Sequence, residues 1–92
     1  MPEYRIFETK QYLKDLKVID AKIRGKIYKK IGQRIYSQLK QNPYYGSNIK
    51  KLSGLDFDTW RYRIGDYRLF YEIDDGNKIV FITCLEHRKN AY

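Results

Sequence analysis

The most regular pattern of apolar positions lies between residues 20 and 42, where isoleucine or leucine recurs at every fourth position. The repeating residues are Ile23, Ile27, Ile31, Ile35 and Leu39. Each step of four advances about 40° around an α-helix, so the five side chains share one broad face. The pattern predicts a long amphipathic helix that begins after the cap Asp20 and ends at Asn42-Pro43. Gly25 and Gly32 lie inside it, and we expect a close approach of the first helix to offset their cost of about 1 kcal/mol each.

The N-terminal residues predict a strand followed by a shorter helix. Residues 4–7 are β-prone and partly alternating, which is typical of a strand. Thr9 is a suitable helix cap, and residues 10–17 after it are amphipathic, with Leu13 and Leu16 facing inward. This first helix and the long second helix together provide one helical layer.

The second half of the chain alternates between strand patterns and turns. A short strand is predicted around residues 49–52, and further strands over 59–64, 67–73 and 78–85. Gly65-Asp66 is a two-residue turn, and the last strand is apolar enough to lie inside the sheet. The predicted fold class is α+β: an N-terminal strand and two helices packed on one face of a three- to four-stranded antiparallel sheet. The other face of this sheet stays open.

The turn at Gly65-Asp66 determines the register of the hairpin that it joins. A two-residue loop pairs Ile64 with Tyr67. The pairs that follow are Arg63 with Arg68, Tyr62 with Leu69, Arg61 with Phe70, and Trp60 with Tyr71. One face of the hairpin should then meet the helices, with Trp60, Tyr62, Ile64, Tyr67, Leu69 and Tyr71. The three arginines share the opposite face. Two arginines directly opposite each other destabilise a sheet by up to about 1 kcal/mol, so folding alone does not favour this arrangement.

Two interpretations of the arginine face are open. In the first, it is a solvated surface on which Asp58 and Glu72 balance the positive charge. In the second, the guanidinium groups form a cradle for phosphates, since their planar donors match phosphate geometry. Phe70 and Phe81 on the same face would then offer bases a stacking surface.

Composition and charge narrow the range of partners. The chain has 92 residues, 19 basic and 11 acidic side chains and a formal charge of +8, with 10 tyrosines. One domain over residues 1–92 fits this length. A strongly basic balance indicates a polyanionic partner such as nucleic acid or an acidic protein, although it also favours solubility. The surplus is uneven: residues 1–41 hold 11 basic and 4 acidic side chains, a net +7, and residues 42–92 are close to neutral.

Several classes of protein are excluded or disfavoured. One cysteine and one histidine cannot form a disulfide framework or a metal site built from Cys and His clusters. The glycines match no phosphate-binding loop, so no cofactor is expected. No apolar run approaches the ~18 residues of a membrane span, and no secretory signal pattern opens the chain. We therefore expect a cytoplasmic protein, in agreement with its cysteine usage.

Three side chains near the C-terminus are ambiguous. His87 is the one side chain whose unperturbed pKa is near neutrality, and it ends the last strand beside Arg88. A lone histidine is commonly a surface or packing residue, but its position beside Arg88 makes it a candidate for acid–base chemistry. We expect strand register to bring His87 together with the arginines of the hairpin. Tyr92 is a terminal residue, where fraying is common. Cys84 is interpreted as a core residue of the last strand.

The chain resembles RelE-type toxins of bacterial and archaeal toxin–antitoxin modules, within the RelE/ParE superfamily. The resemblance lies in a segment at residues 51–54, the hairpin sequence at residues 60–71 and the tail at residues 87–92. It extends over the whole chain in length, basic charge and order of elements. It implies an α+β fold like that of the microbial RNases.

The resemblance also implies a function. RelE-like toxins are ribosome-dependent endoribonucleases that cleave mRNA through attack of the ribose 2′-hydroxyl, without a metal, and a cognate antitoxin neutralises them. The implied catalytic residues are Arg61, Arg63, Arg68, His87, Arg88 and Tyr92. Lys50, Lys51, Phe70 and Lys89 are expected to contact RNA. Arginine is a poor general base, so His87 or Tyr92 is expected to exchange protons.

Two alternative functions follow from the same superfamily. A ParE-like toxin would inhibit DNA gyrase without cutting RNA, and the basic hairpin together with His87-Arg88 argues against it. A non-catalytic member would only bind antitoxin or nucleic acid, because phosphate contacts do not by themselves show chemistry. The expected partners are therefore a cognate antitoxin with an acidic segment, the ribosome and mRNA, with no membrane and no cofactor.

Overall fold

A computed structural model of the chain describes residues 3–52 and 59–87. Its elements are β1 Arg5–Glu8, α1 Lys10–Val18, α2 Ala21–Lys30, a π-helical turn Ile31–Ile35, α3 Tyr36–Gln41, β2 Ile49–Leu52, β3 Thr59–Ile64, β4 Tyr67–Asp74 and β5 Ile79–His87. The strands form one five-stranded sheet in the order β1-β5-β4-β3-β2, with the helices on one face. The predicted α+β class is confirmed. Among the helices of the described residues, none has the length and apolar character needed to cross a membrane.

β1 differs from the other strands because it runs parallel to its neighbour. It pairs with β5 from Arg5 opposite Ile79 to Glu8 opposite Ile82, whereas the other ladders are antiparallel. The predicted antiparallel sheet of three or four strands is thus corrected to a mixed sheet of five. The physical reason is that β5 is apolar and internal, so its backbone groups need a ladder on both sides.

Both predicted helix caps are present. The Thr9 hydroxyl accepts a hydrogen bond from the Tyr12 backbone N–H at 3.4 Å and donates one to the Ile82 carbonyl at 2.6 Å. Asp20 accepts a hydrogen bond from the Lys22 backbone N–H at 3.0 Å. Thr9 is the single residue between β1 and α1. It therefore caps α1 and also connects the start of this helix to β5.

The long helix predicted from the fourfold repeat is interrupted by the π-helical turn. Ile31, Ile35 and Leu39 are buried, whereas Ile23 is 48% exposed. A repeat of four drifts around an α-helix, and a turn with i→i+5 hydrogen bonds takes up an additional residue and so reduces the drift. The C-terminal half of the repeat stays against the sheet. Ile23, at the N-terminal end of the repeat, lies outside the core that Ile31, Ile35 and Leu39 join.

Two further expectations about the helices are corrected. Tyr12 and Leu16 are the buried residues of α1, and Leu13 is 40% exposed, because the larger tyrosine occupies the inward position. A Cβ atom built on Gly25 or on Gly32 would meet no atom within 4 Å. Close packing of α1 therefore does not account for these glycines.

The β3–β4 hairpin has the register that its two-residue turn predicts, from Ile64 opposite Tyr67 to Trp60 opposite Tyr71. Gly65 has a φ of 54°, a left-handed conformation that glycine adopts without strain. The core lies between this side of the sheet and the helices. Its buried members are Tyr4, Tyr12, Leu16, Ile31, Ile35, Leu39, Tyr62, Ile64, Leu69, Tyr71, Val80, Ile82 and Leu85.

Candidate functional site

The side of the sheet that faces away from the helices, the open face, carries its residues in rows across the strands. Residues that pair across a ladder share a face. The first row, beside the Gly65 turn, consists of Arg63, Arg68 and Glu86; the second of Lys50, Arg61, Phe70 and Cys84; and the third of Glu72, Phe81 and Phe7. Positive charge is therefore concentrated at the turn end of the open face, and aromatic rings lie toward β1.

Hydrogen bonds on the helix side hold the two arginine-bearing strands in place. The Tyr62 hydroxyl donates to the Gln38 side-chain oxygen at 2.9 Å, and the buried Tyr71 hydroxyl donates to the Pro43 carbonyl at 2.7 Å. Tyr62 lies between two arginines of β3, and side chains alternate along a strand. Anchoring the tyrosines to α3 and to the segment that follows it thus orients the arginines outward.

Arg61 has an unsatisfied donor. Its side chain is partly buried in the second row, and its Nε atom is buried without a hydrogen-bond partner. Within residues 3–52 and 59–87 it is the one buried side-chain nitrogen or oxygen in this condition. Such a group costs about 1–3 kcal/mol, and native proteins rarely leave one unpaired. An anionic oxygen bound between Lys50 and Phe70 would satisfy it.

Glu86 belongs to the first row, although the sequence pattern did not single it out. It is the Cα partner of Arg68. Its carboxylate has no hydrogen bond or ion pair in the part of the chain that the structure describes. Glu72 and Asp74 share the open face but lie toward the other end of β4. The arginine row therefore includes one carboxylate that folding does not use.

His87 lies on the other side of the sheet from the arginines. β5 contains a bulge opposite Phe70 and Tyr71, and the additional residue Thr83 reverses the alternation of its side chains. His87 consequently pairs with Tyr67 on the helix side, where the two rings meet edge to face with centroids 4.8 Å apart. The prediction that His87 converges with the arginines by strand register is wrong. The same bulge moves Glu86 onto the open face.

The remaining predicted site residues divide into three groups. Lys50 and Phe70 lie beside Arg61 on the open face. Lys51 lies on the other side, where its Nζ is 5.8 Å from the centroid of the Trp60 ring. Arg88, Lys89 and Tyr92 lie outside the described residues, as does Asp58.

Cys84 completes the second row but is not an activated thiol. Burial is the main cause that raises the pKa of the Cys84 thiol to about 11. The thiol therefore stays protonated at neutral pH, and protonated thiols are weak nucleophiles. Among the described residues, no three His, Cys, Asp or Glu side chains are grouped so as to hold a metal ion.

Comparisons with known proteins agree with this geometry. The chain matches one family profile over residues 6–92, that of the ParE toxin of type II toxin-antitoxin systems, parDE. It is similar to the archaeal RelE–RelB complex from Pyrococcus horikoshii, with 27% identity, a TM-score of 0.70 and coverage of 98% of this chain and 99% of that chain. It is also similar to the RelB–RelE complex from Methanococcus jannaschii, with 27% identity, a TM-score of 0.65 and coverage of 94% of this chain and 94% of that chain. The RelBE2 complex from Mycobacterium tuberculosis has 24% identity, a TM-score of 0.71 and coverage of 94% of this chain and 99% of that chain. No curated protein sequence matches the chain significantly.

Proposed function

The chain belongs to the ParE toxin family of type II toxin–antitoxin systems, and we propose that it acts as a ribosome-dependent endoribonuclease that cleaves mRNA. In the proposed reaction a ribose 2′-hydroxyl attacks the adjacent phosphorus and the bond to the 5′-oxygen breaks. The products are a 2′,3′-cyclic phosphate and a 5′-hydroxyl, and no metal takes part. The observation that carries the proposal is the cationic pair of rows on the open face, which includes the buried, unpaired Nε of Arg61.

The arginines are proposed to stabilise the charge that develops on the phosphate. Arg61, Arg63 and Arg68 lie on neighbouring strands, and paired residues in a sheet are about 5 Å apart. Preorganised donors aimed at developing charge are commonly the largest single term in catalysis, because they need no reorganisation during the reaction. A guanidinium also bonds two phosphate oxygens at once, which would orient the phosphate against the sheet.

Phe70 is proposed to hold a base next to the scissile phosphate. It is the Cα partner of Arg61, so an RNA phosphate bound at Arg61 places its nucleotide over the neighbouring ring. Single-stranded RNA is typically recognised by stacking of unpaired bases on aromatic side chains. Lys50 lies on the other side of Arg61 and adds a phosphate contact.

We further propose that Glu86 accepts the proton of the attacking 2′-hydroxyl. Guanidinium groups keep their protons in proteins, so the arginines of the open face cannot act as the base. Glu86 is the carboxylate in their row, and it has no hydrogen bond or ion pair among the described residues. The proton passes from the 2′-oxygen to the carboxylate and then to solvent, while water protonates the departing 5′-oxygen. The roles implied for His87, Arg88 and Tyr92 stay predictions.

Replacing Glu86 with glutamine tests this role. Glu86→Gln should lower the cleavage rate by about 100-fold or more, since a general base contributes about 10²–10⁴. It should also remove the low-pH limb of the pH–rate profile, and Glu86→Asp should retain that limb. Glu72→Gln, the same change on the same face but outside the arginine rows, is the matched control and should leave both unchanged. Retention of the limb in Glu86→Gln would show that Glu86 only positions Arg68.

The proposed protein partner is a cognate antitoxin with an acidic, amphipathic segment. An apolar groove of about 410 Å³ lies between α1 and α2. It is lined by Leu13, Leu16, Ala21, Arg24, Gly25, Tyr28 and Lys29. The exposed leucine and tyrosine favour an amphipathic partner, and the basic residues favour an acidic one. Affinity for such a partner should fall as salt rises, because exposed charge pairs are screened. Salt-independent binding would contradict this mode of contact.

Primer extension on mRNA tests the function as a whole. Expression of the protein without antitoxin should produce new 5′ ends within translated messages, and a purified translation system should reproduce them only when ribosomes are present. The family profile that the chain matches is that of the ParE toxin, so inhibition of DNA gyrase is the competing function. Gyrase-linked DNA breaks with intact mRNA would replace the endoribonuclease proposal with that one.

A further inference from the structure

A small cleft with basic walls lies beside the open face, at the edge of β3. We call it the basic cleft and define it by Lys30, Arg34, Asn48 and Arg63. Its volume is about 260 Å³, and the remaining wall is formed by Tyr62, Ile64, Gly65 and Ile35. None of these lining residues is acidic. The cleft is therefore a concave region of one charge sign, which concentrates a counter-charged ligand.

Two features of the fold create the cleft. The β2–β3 ladder begins with Ile49 opposite Tyr62, so beyond Tyr62 the side of β3 that faces away from β4 has no paired strand. One hydrogen bond continues past the ladder, from the Arg63 N–H to the Asn48 carbonyl at 3.0 Å. The helical layer passes this uncovered edge at the π-helical turn, which contains Arg34 and directly follows Lys30. Such turns occur frequently at functional sites.

Folding makes no use of the three cationic groups. Within residues 3–52 and 59–87, the side chains of Lys30, Arg34 and Arg63 have no hydrogen bond and no ion pair. Their like charges repel one another when the cleft is empty. An anion inside it would relieve this repulsion and would receive charge-assisted hydrogen bonds from planar guanidinium groups.

We propose that the basic cleft binds a backbone phosphate of single-stranded RNA next to the phosphate at the open face. The RNA identity of the occupant rests on the proposed function. Arg63 belongs to both the cleft and the first row of the open face, so one RNA strand can pass from one to the other. A protein partner would find apolar contacts in the groove between α1 and α2, whereas a cleft lined by three cationic side chains and no acidic one suits a phosphate. The cleft thus supplies affinity and register, and the open face supplies chemistry.

The test compares two double variants that remove the same charge from the same helical region. Lys30→Ala with Arg34→Ala alters the cleft, and Lys22→Ala with Lys26→Ala alters exposed lysines that do not line it. Binding is measured with a labelled single-stranded RNA, with empty ribosomes, with mRNA-loaded ribosomes and with an acidic peptide, each over a range of salt concentrations. Thermal melting confirms folding, and Lys30→Arg with Arg34→Lys is a charge-conserving second variant.

The cleft variant should weaken RNA binding by about tenfold or more. It should also reduce the slope of log K against log salt by about 0.7 for each phosphate that the variant no longer neutralises. The control should change affinity by less than about twofold, and the charge-conserving variant should retain binding. Weakening confined to mRNA-loaded ribosomes identifies mRNA as the source of the phosphate, and equal weakening with empty ribosomes identifies rRNA.

Equal weakening by both double variants would overturn the proposal, because net charge and not the cleft would then explain binding. Weakening of acidic-peptide binding alone would also overturn it, since the occupant would be a protein. Cleavage by the wild-type protein is measured in parallel. If the wild-type protein binds RNA through the cleft but does not cleave mRNA, the RNA site in the cleft is supported and the endoribonuclease proposal is wrong. If the cleft variant binds RNA and cleaves mRNA as the wild type does, the endoribonuclease proposal is supported and the RNA site in the cleft is wrong.

Discussion

The two faces of the sheet use their polar groups in opposite ways. On the helix side, tyrosine hydroxyls form hydrogen bonds within the fold: Tyr71 donates to the Pro43 carbonyl, and the Tyr36 hydroxyl is hydrogen-bonded to Glu8 at 2.6 Å and to the Tyr12 hydroxyl at 2.9 Å. On the open face, Arg61 keeps a buried donor without a partner. A group that folding leaves unsatisfied is destabilising unless something else binds it. The contrast therefore separates what the sheet needs to fold from what it offers to a ligand.

Removing two arginines from the open face should have the largest effect on activity, because these are the groups that the sheet offers to a ligand. Arg61→Ala with Arg68→Ala should lower mRNA cleavage by about 10³-fold or more, since single donors to a developing charge contribute about 10²–10³. The free energy of unfolding should rise by about 1–3 kcal/mol, because the variant removes the buried, unpaired Nε of Arg61 and separates Arg63 from a like charge. Primer extension and chemical denaturation measure the two quantities. Full cleavage in this variant would remove the open face as the catalytic site.

Cys84 allows the burial of the second row to be measured directly. Its pKa of about 11, against an ordinary value of 9.0, implies a thiolate fraction about 100-fold lower near pH 8. Alkylation by iodoacetamide should therefore be about 100-fold slower in the folded protein than in the chain unfolded by denaturant, and it should accelerate as pH rises toward 11. Equal rates in the two states would mean that this row is open to solvent.

The helix side should respond in stability and not in activity. Tyr71→Phe leaves the Pro43 carbonyl without its buried donor, which should lower the free energy of unfolding by about 1–2 kcal/mol. Each kcal/mol lost corresponds to a fall in Tm of about 4–8 °C for a domain of this size. Tyr67→Phe is the matched control on the same strand. Its hydroxyl has no hydrogen bond within the described residues, so the change should be under about 0.5 kcal/mol.

The smallest predicted effect is at the end of the sheet remote from the arginine rows. Hydrogen bonds from Tyr4, Tyr44 and Lys78 lower the pKa of Asp75. A carboxyl whose pKa is depressed by folding stabilises the protein above its unfolded pKa of about 4, and the stabilisation disappears as pH falls through the folded pKa. The Tm of the Asp75→Asn variant should therefore fall less steeply than that of the wild type as the pH is lowered into the acid range. An acid limb identical to that of the wild type would show that Asp75 does not contribute.

Features of the fold that depend on local interactions follow from the sequence. The turn at Gly65-Asp66 predicted the hairpin pairing residue by residue, and so the face shared by the three arginines. Thr9 and Asp20 were predicted as caps for the same reason, because a cap depends on a few neighbouring backbone groups. The catalytic roles of the predicted residues stay predictions, and those of Arg88 and Tyr92 concern positions outside the described residues.

Features that depend on how one element adjusts to another do not follow from local patterns. The bulge in β5 opposite Phe70 and Tyr71 depends on how two strands accommodate each other, and it exchanged His87 for Glu86 on the arginine face. Likewise, the π-helical turn keeps Leu39 in the core while Ile23 lies outside it. Strict alternation and strict helical periodicity cannot reveal such shifts, because a single additional residue changes every later side chain.

By itself, the sequence determined the order of the elements, the hairpin register and the concentration of arginine on one face, since these follow from turn chemistry and from periods of two and four residues. Only the tertiary structure decided that β1 joins β5 in parallel, that Glu86 completes the arginine row, and that Lys30, Arg34 and Arg63 meet in one cleft. These contacts join residues far apart in the chain, and their geometry depends on backbone irregularities that arise when the layers pack.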